Sequence, residues 1–283
     1  MTIRLLPQCL LLGAVALTVN LWDTAAQAQA LPRWEVGLGL GLLSLPYYRG
    51  ATDSRTYFIP FPYVQYRGKH LRVDDEGIRS YLFRSEYAKL DFSIAAGVPV
   101  PSGGVSARRG MPSLSPTVEI GPSLEISLWH TAERKRALWL KLPLRAAFSV
   151  DWGKIAHQGW IFAPYIEYQI RKGERAKPWL INLSAGPQFA DRAYHDYFYE
   201  VASPYATPTR PEYHPDAGYS GSRFTLTVQK RWGYYSLGAF ARYDFLQGAV
   251  FEDSPLVGQK YYFAYGAAII RLLAVSKKLE EVP

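Results

Sequence analysis

The chain has 283 residues, a net charge of +8 and one cysteine, Cys9. It is rich in Tyr (21), Phe (13), Trp (8) and Gly (23), yet its hydropathy sits just below neutral. Beyond the N-terminus no stretch reaches the roughly 18 uninterrupted apolar residues of a membrane helix, which excludes helical spans.

Arg4 followed by the apolar run Cys9–Leu21 and the triplet Ala28-Gln29-Ala30 reads as a signal peptide, with cleavage expected after Ala30. Cys9 opens the apolar run rather than following it, with Gln8 before it where a small residue is expected, so a lipoprotein is rejected, and its removal leaves a mature chain without disulfide chemistry in an oxidising compartment. Residues 31–272 are expected to form one β domain, with 273–283 as a C-terminal tail.

Period-two patterning then recurs along the chain. In 117–129, Val118, Ile120, Leu124, Ile126 and Leu128 oppose Glu119, Gly121, Ser123, Glu125 and Ser127. In 138–150 every even position is apolar, opposite Lys141 and Arg145. A helix would group residues three or four apart, so these are strands. Most are longer than the five or six residues of sandwich strands and match the about 9–11 of a tilted membrane strand. Twelve are expected: 32–43, 57–66, 69–74, 78–83, 86–98, 117–129, 136–150, 157–170, 177–190, 220–232, 234–246 and 260–272. Ten would also fit, because 57–85 is ambiguous. Connections after odd strands (44–56, 75–77, 99–116, 151–156, 191–219, 247–259) are long apart from 75–77. Those after even strands (67–68, 84–85, 130–135, 171–176, 233) are short. That parity, with aromatics near strand ends (Trp34, Trp129, Trp179, Trp232, Tyr261), predicts an all-β fold, a transmembrane antiparallel up-and-down β-barrel of a Gram-negative outer membrane. Pro122, Pro143, Pro164 and Pro187 fall inside strands, where bulges are expected.

Several stretches resemble the MipA/OmpV family: Trp34-Glu35-Val36-Gly37-Leu38-Gly39-Leu40-Gly41, Pro46-Tyr47-Tyr48-Arg49-Gly50, Ile59-Pro60-Phe61-Pro62-Tyr63, Tyr197-Phe198-Tyr199-Glu200-Val201 with Tyr213, Ala241-Arg242-Tyr243, and Gly248 with Asp253-Ser254-Pro255-Leu256-Val257. The resemblance implies an outer-membrane barrel acting as a scaffold between a lytic transglycosylase and a penicillin-binding murein synthase. It carries over no catalytic residues. The tail departs from the usual terminal aromatic of outer-membrane barrels.

The expected lumen face carries Glu119, Glu125, Lys141, Arg145, Glu167, Arg223, Arg242 and Asp244, with Glu35, Lys89, Asp91 and Arg231. These residues line a selective pore or pair off to fill a narrow interior. Glu119 and Glu125, six residues along a strand, lie about 20 Å apart, too far for paired carboxylate hydrolysis. No G-x-S-x-G occurs and the five histidines form no His-x-x-x-His pair, so no enzyme, metal or cofactor is expected. The spacing of His195, Asp196 and His214 is not diagnostic of a metal. Loop 191–219, dense in Tyr194, Tyr197, Phe198 and Tyr199, reads as a binding surface, an inward plug or a rest on lipopolysaccharide. The short turns gather Arg134, Lys135, Arg136, Arg171, Lys172, Arg175 and Lys177, a basic face for acidic partners or a solvated rim. Two classes remain: a scaffold docking murein enzymes on its periplasmic face, and a narrow channel for small solutes or ions. Both sit in outer-membrane lipid and lipopolysaccharide, where nucleic acid is not a partner.

Overall fold

The computed structural model describes residues 29–67, 71–74, 77–80, 83–85, 87–133, 135–173 and 179–282. Its strands are β1 (Gln29–Pro32), β2 (Trp34–Pro46), β3 (Ser54–Arg67), β4 (Leu71–Asp74), β5 (Gly77–Ser80), β6 (Phe83–Arg84), β7 (Ala88–Gly97), β8 (Thr117–His130), β9 (Arg136–Asp151), β10 (Lys154–Phe162), β11 (Tyr165–Lys172), β12 (Trp179–Ala190), β13 (Gly218–Trp232), β14 (Tyr235–Phe245), β15 (Tyr261–Val275) and β16 (Leu279–Val282). One helix, α1 (Arg192–Tyr199), interrupts them.

Fourteen of the strands form one antiparallel sheet in the order β5-β4-β3-β2-β15-β14-β13-β12-β10-β9-β8-β7-β6, with β11 between β9 and β12. β15 pairs with β2 from Tyr265↔Ser44 to Val275↔Glu35, which joins the last crossing to the first. The path begins on β5 and ends on β6, which flank residues 81–82, and β5 lies against β7. The two ends of the sheet therefore lie near one another, as in an all-β barrel. β10 and β11 fall within one expected strand, interrupted at Ala163 and Pro164, while β4, β5 and β6, of four, four and two residues, are shorter than the strands expected at 69–74 and 78–83.

The burial pattern explains why the chain folds this way. Along β15, Tyr261, Phe263, Tyr265, Ala267 and Ile269 are exposed while Tyr262, Ala264, Gly266, Ala268 and Ile270 are buried. On β2, Leu38 is 60% exposed and Glu35 only 1%. Phe58 at 68%, Leu226 and Phe224 follow the same rule. Apolar side chains face out and charged ones face in, the reverse of a water-soluble protein.

Two expectations change in detail. The segment 151–156 is not a long loop: β9 and β10 continue to a two-residue turn at Trp152-Gly153, where Gly153 takes φ +73°. β15 runs to Val275, so the first three residues of the expected tail belong to the barrel, and β16 pairs with β1. The expected signal peptide lies outside the described residues except for Gln29 and Ala30, which stand in β1.

The prolines cross β8 to β12 at neighbouring depths. Ser123, next to Pro122, pairs with Pro143; the Pro143 carbonyl accepts from Ala163 N–H; and the Pro164 carbonyl abuts Gly186, next to Pro187. The chain breaks at Pro164 and shifts register after Pro187. At Pro122 and Pro143 no shift occurs. There the strands approach closely instead: a Cβ on Gly121 would lie 1.9 Å from the Leu144 carbonyl oxygen, so only glycine fits.

Candidate functional site

The barrel interior is built from inward positions of the strands. Arg145 on β9 donates through Nε to Glu119 on β8 at 3.0 Å and through Nη1 to Ser93 on β7. Lys141 lies 3.0 Å from Glu167 and 3.8 Å from Glu125, and Lys89 reaches Glu125 at 2.7 Å. Arg223 and Arg242 converge on Asp244, which is 0% exposed. All eight residues singled out for the lumen thus point inward, and each stands in an ion pair. Burying such groups is costly, and pairing keeps the cost small enough for the fold to bear.

Nearer the short turns the described inward residues pack on one another. Arg231 forks onto Glu35, Nη1 to Oε2 at 3.1 Å and Nη2 to Oε1 at 3.0 Å. This bidentate pair spans from β13 to β2, with β14 and β15 between them in the wall. Tyr63 donates to Gln65 at 3.0 Å, and Tyr63, Ile270 and Leu272 form a buried apolar group with Phe61. Phe61 lies over Gly39, where a Cβ would come within 2.3 Å of its ring.

The opposite mouth is roofed by the long loops. Tyr48 and Ala51, Val100 and Val105, Met111 and Leu114, Tyr199 and Val201, and Leu246, Phe251 and Leu256 form one buried apolar core drawn from four connections. Tyr199 and Phe251 stack at 3.7 Å. Tyr48 donates to the Leu256 carbonyl (2.7 Å), Tyr199 to the Arg49 carbonyl (3.0 Å) and Tyr197 to the Ser115 carbonyl (2.7 Å). Burial pushes the Tyr48 phenol up to about 12 and raises Tyr194 and Tyr199 as well, so all three remain donors. The loop 191–217 therefore folds inward. Its helix α1 begins at Asp191, whose side chain accepts from Tyr194 N–H, and plants Tyr194 on Glu119 at 2.9 Å. The sequence reading left this segment without a helix; the Asp191 cap before an aromatic run was the available signal.

Beneath this roof lies a cavity of about 410 Å³, whose walls include Arg49, Glu119, Glu125, Lys141, Arg145, Glu167, Arg223 and Arg242. His195 does not open onto a metal. Its Nδ1 donates to the Asp216 carbonyl at 2.6 Å, so its Nε2 accepts from Ser220 at 2.7 Å, and burial lowers its pKa. His214 turns instead to Glu200 and Glu212. Among the described residues no group of His, Cys, Asp or Glu is arranged to hold a metal.

At the short-turn rim, Arg171 N–H donates to the Lys135 carbonyl at 2.7 Å, and Arg136 pairs in register with Ile170. The turns of β8–β9 and β11–β12 are thereby brought together, with exposed Lys135, Arg136 and Lys172 beside Arg171. Lys230 stands next, over the Trp179 ring at 5.0 Å. Glu133 pairs with Lys135. Arg134, Arg175 and Lys177 lie outside the described residues.

A family model described as MltA-interacting protein MipA matches residues 38–272. The chain belongs to the MipA family. The match begins within β2 and ends within β15, so it takes in the roof and almost every barrel strand. A search of curated proteins finds no significant match.

Proposed function

We propose that this MipA-family chain is an outer-membrane barrel without catalytic activity that docks murein-remodelling enzymes on its short-turn face. The observation that carries the reading is the rim where Lys135, Arg136, Arg171 and Lys172 are gathered by two neighbouring turns, in a family named for an interaction with MltA. A basic face attracts an acidic partner surface or the acidic wall polymer and speeds encounter. The exposed apolar belt supports insertion in lipid: Leu38, Leu40, Leu42, Phe224, Leu226, Phe263 and Tyr265 are far more apolar surface than a soluble monomer exposes. Trp34, Trp129, Trp179 and Trp232 near the short turns suit the membrane interface, and the basic turns beyond them would face the periplasm. The partners expected are a lytic transglycosylase and a penicillin-binding murein synthase.

The interior favours docking over conduction, because the Glu35–Arg231 fork and the Tyr63 group occupy it below the cavity while aromatic loops roof it above. The test is capture from cross-linked envelopes. Wild type should retain a lytic transglycosylase, and replacing Lys135, Arg136, Arg171 and Lys172 by Gln should reduce capture about tenfold. Planar-bilayer conductance without an enriched partner would favour the channel instead.

A further inference from the structure

The charges around the cavity are not evenly matched. On the wall formed by β7, β8, β9 and β11, Glu119 pairs with Arg145, while Glu125 and Glu167 are met by Lys89 and Lys141. On the facing wall three guanidinium groups share one carboxylate. Arg49 Nε and Arg223 Nε donate to Asp244 Oδ1 at 3.1 and 3.0 Å, and Arg242 Nε lies 2.9 Å from Oδ2. Three positive charges thus face one negative charge, and arginine does not shed its proton to relieve the excess.

The donors are also in surplus. Arg49 and Arg223 use Nε on Asp244, whereas Arg242 Nε lies beside Oδ2 without a hydrogen bond, and neither Arg223 nor Arg242 bonds through Nη among the described residues. Arg49 Nη2, Arg242 Nε and Tyr262 Oη are buried donors with no hydrogen-bond partner, against one such acceptor in the cluster, Asp244 Oδ2. Buried donors left unmade and like charges held together both cost free energy unless something meets them. Arg49, Arg223, Arg242 and Tyr262 all line the cavity, beside Thr225.

We infer that this wall binds a small oxyanion, a carboxylate or phosphate group of a solute, at Arg49, Arg223 and Arg242. The planar guanidinium fork matches both groups, which accept two parallel N–H bonds. A cavity of about 410 Å³ limits the ligand to a small solute rather than a polymer. Asp244 fixes Arg49 and Arg223 by their Nε atoms and pairs by charge with Arg242, and the bound anion balances the charge that Asp244 leaves over. This is independent of the rim and of any docking there.

The test uses the full chain folded in zwitterionic detergent, titrated calorimetrically with inorganic phosphate, with succinate, and with chloride at matched ionic strength. Saturable binding of phosphate or succinate but not chloride supports the site, and which of the two binds names the group. Arg242→Gln should weaken it roughly tenfold or more, while Lys154→Gln, exposed on β10, should not. Behaviour identical in phosphate, succinate and chloride overturns the inference in the wild type alone, whether or not the variants fold. Binding undiminished in folded Arg242→Gln overturns it also.

Discussion

Tyr194 in α1 donates its phenolic proton to Glu119 Oε1 at 2.9 Å, across 75 positions of sequence, while the other oxygen of the same carboxylate accepts from Arg145. One carboxylate thereby links the roof to the barrel wall. Tyr194→Phe should cost about 1.5–3 kcal/mol of roof docking, the range for a hydrogen bond to a charged group. Limited proteolysis should cut 191–217 at least tenfold faster while the barrel keeps its heat-modifiable migration on gels. Unchanged cleavage would mean that Tyr194 does not anchor the roof.

Glu35 and Arg231 pose a different question, because both are largely out of water. Arg231→Met alone leaves Glu35 buried without its fork and should destabilise the barrel by about 3–5 kcal/mol. Adding Glu35→Leu should recover most of that loss, since an apolar pair of similar size pays no desolvation. Urea unfolding from vesicles measures both, and strict additivity of the two losses would contradict the pairing.

Acid should loosen the roof through His195. Burial holds its pKa below the ordinary 6.5, partly offset by the Asp216 carbonyl, with Arg49 lowering and Asp191 raising it. The unfolded or undocked segment then binds the proton more readily. The contribution is complete above about pH 6.5 and is lost as pH falls from there through the folded-state value. His214 has the opposite sign, because its hydrogen bond with Glu212 raises its pKa; being exposed, it is screened. Protection of α1 amides, after correction for the intrinsic pH dependence of exchange, should fall between pH 7 and pH 5 in wild type and in His214→Gln, and stay level in His195→Gln. A slope that survives His195→Gln would assign it elsewhere.

The barrel was legible where lipid-facing and inward residues alternate without interruption, as in β8, β9, β12, β13 and β15. There one period of two encodes both faces. Proline position revealed the break at Pro164, but not that Gly121 would let Pro122 and Pro143 stay in register. Inward charges could be read from parity, whereas their partners could not. Arg49 joins Asp244 from a loop, Tyr194 joins Glu119 from a helix, and neither has a strand period to betray it. The roof escaped for the same reason: Tyr48, Val105, Tyr199 and Phe251 meet from four connections, and only the fold brings them together.

The most direct measurement is a single-cysteine spin-label scan of β13 from Arg223 to Lys230, in lipid vesicles, with Cys9 absent. Labels at 224, 226, 228 and 230 should collide with oxygen dissolved in lipid, while those at 223, 225, 227 and 229 should be shielded from it. Accessibility without that alternation, or a water-soluble relaxation agent reaching 224 and 226 as freely as the loops, would contradict a barrel that turns its apolar side chains to lipid.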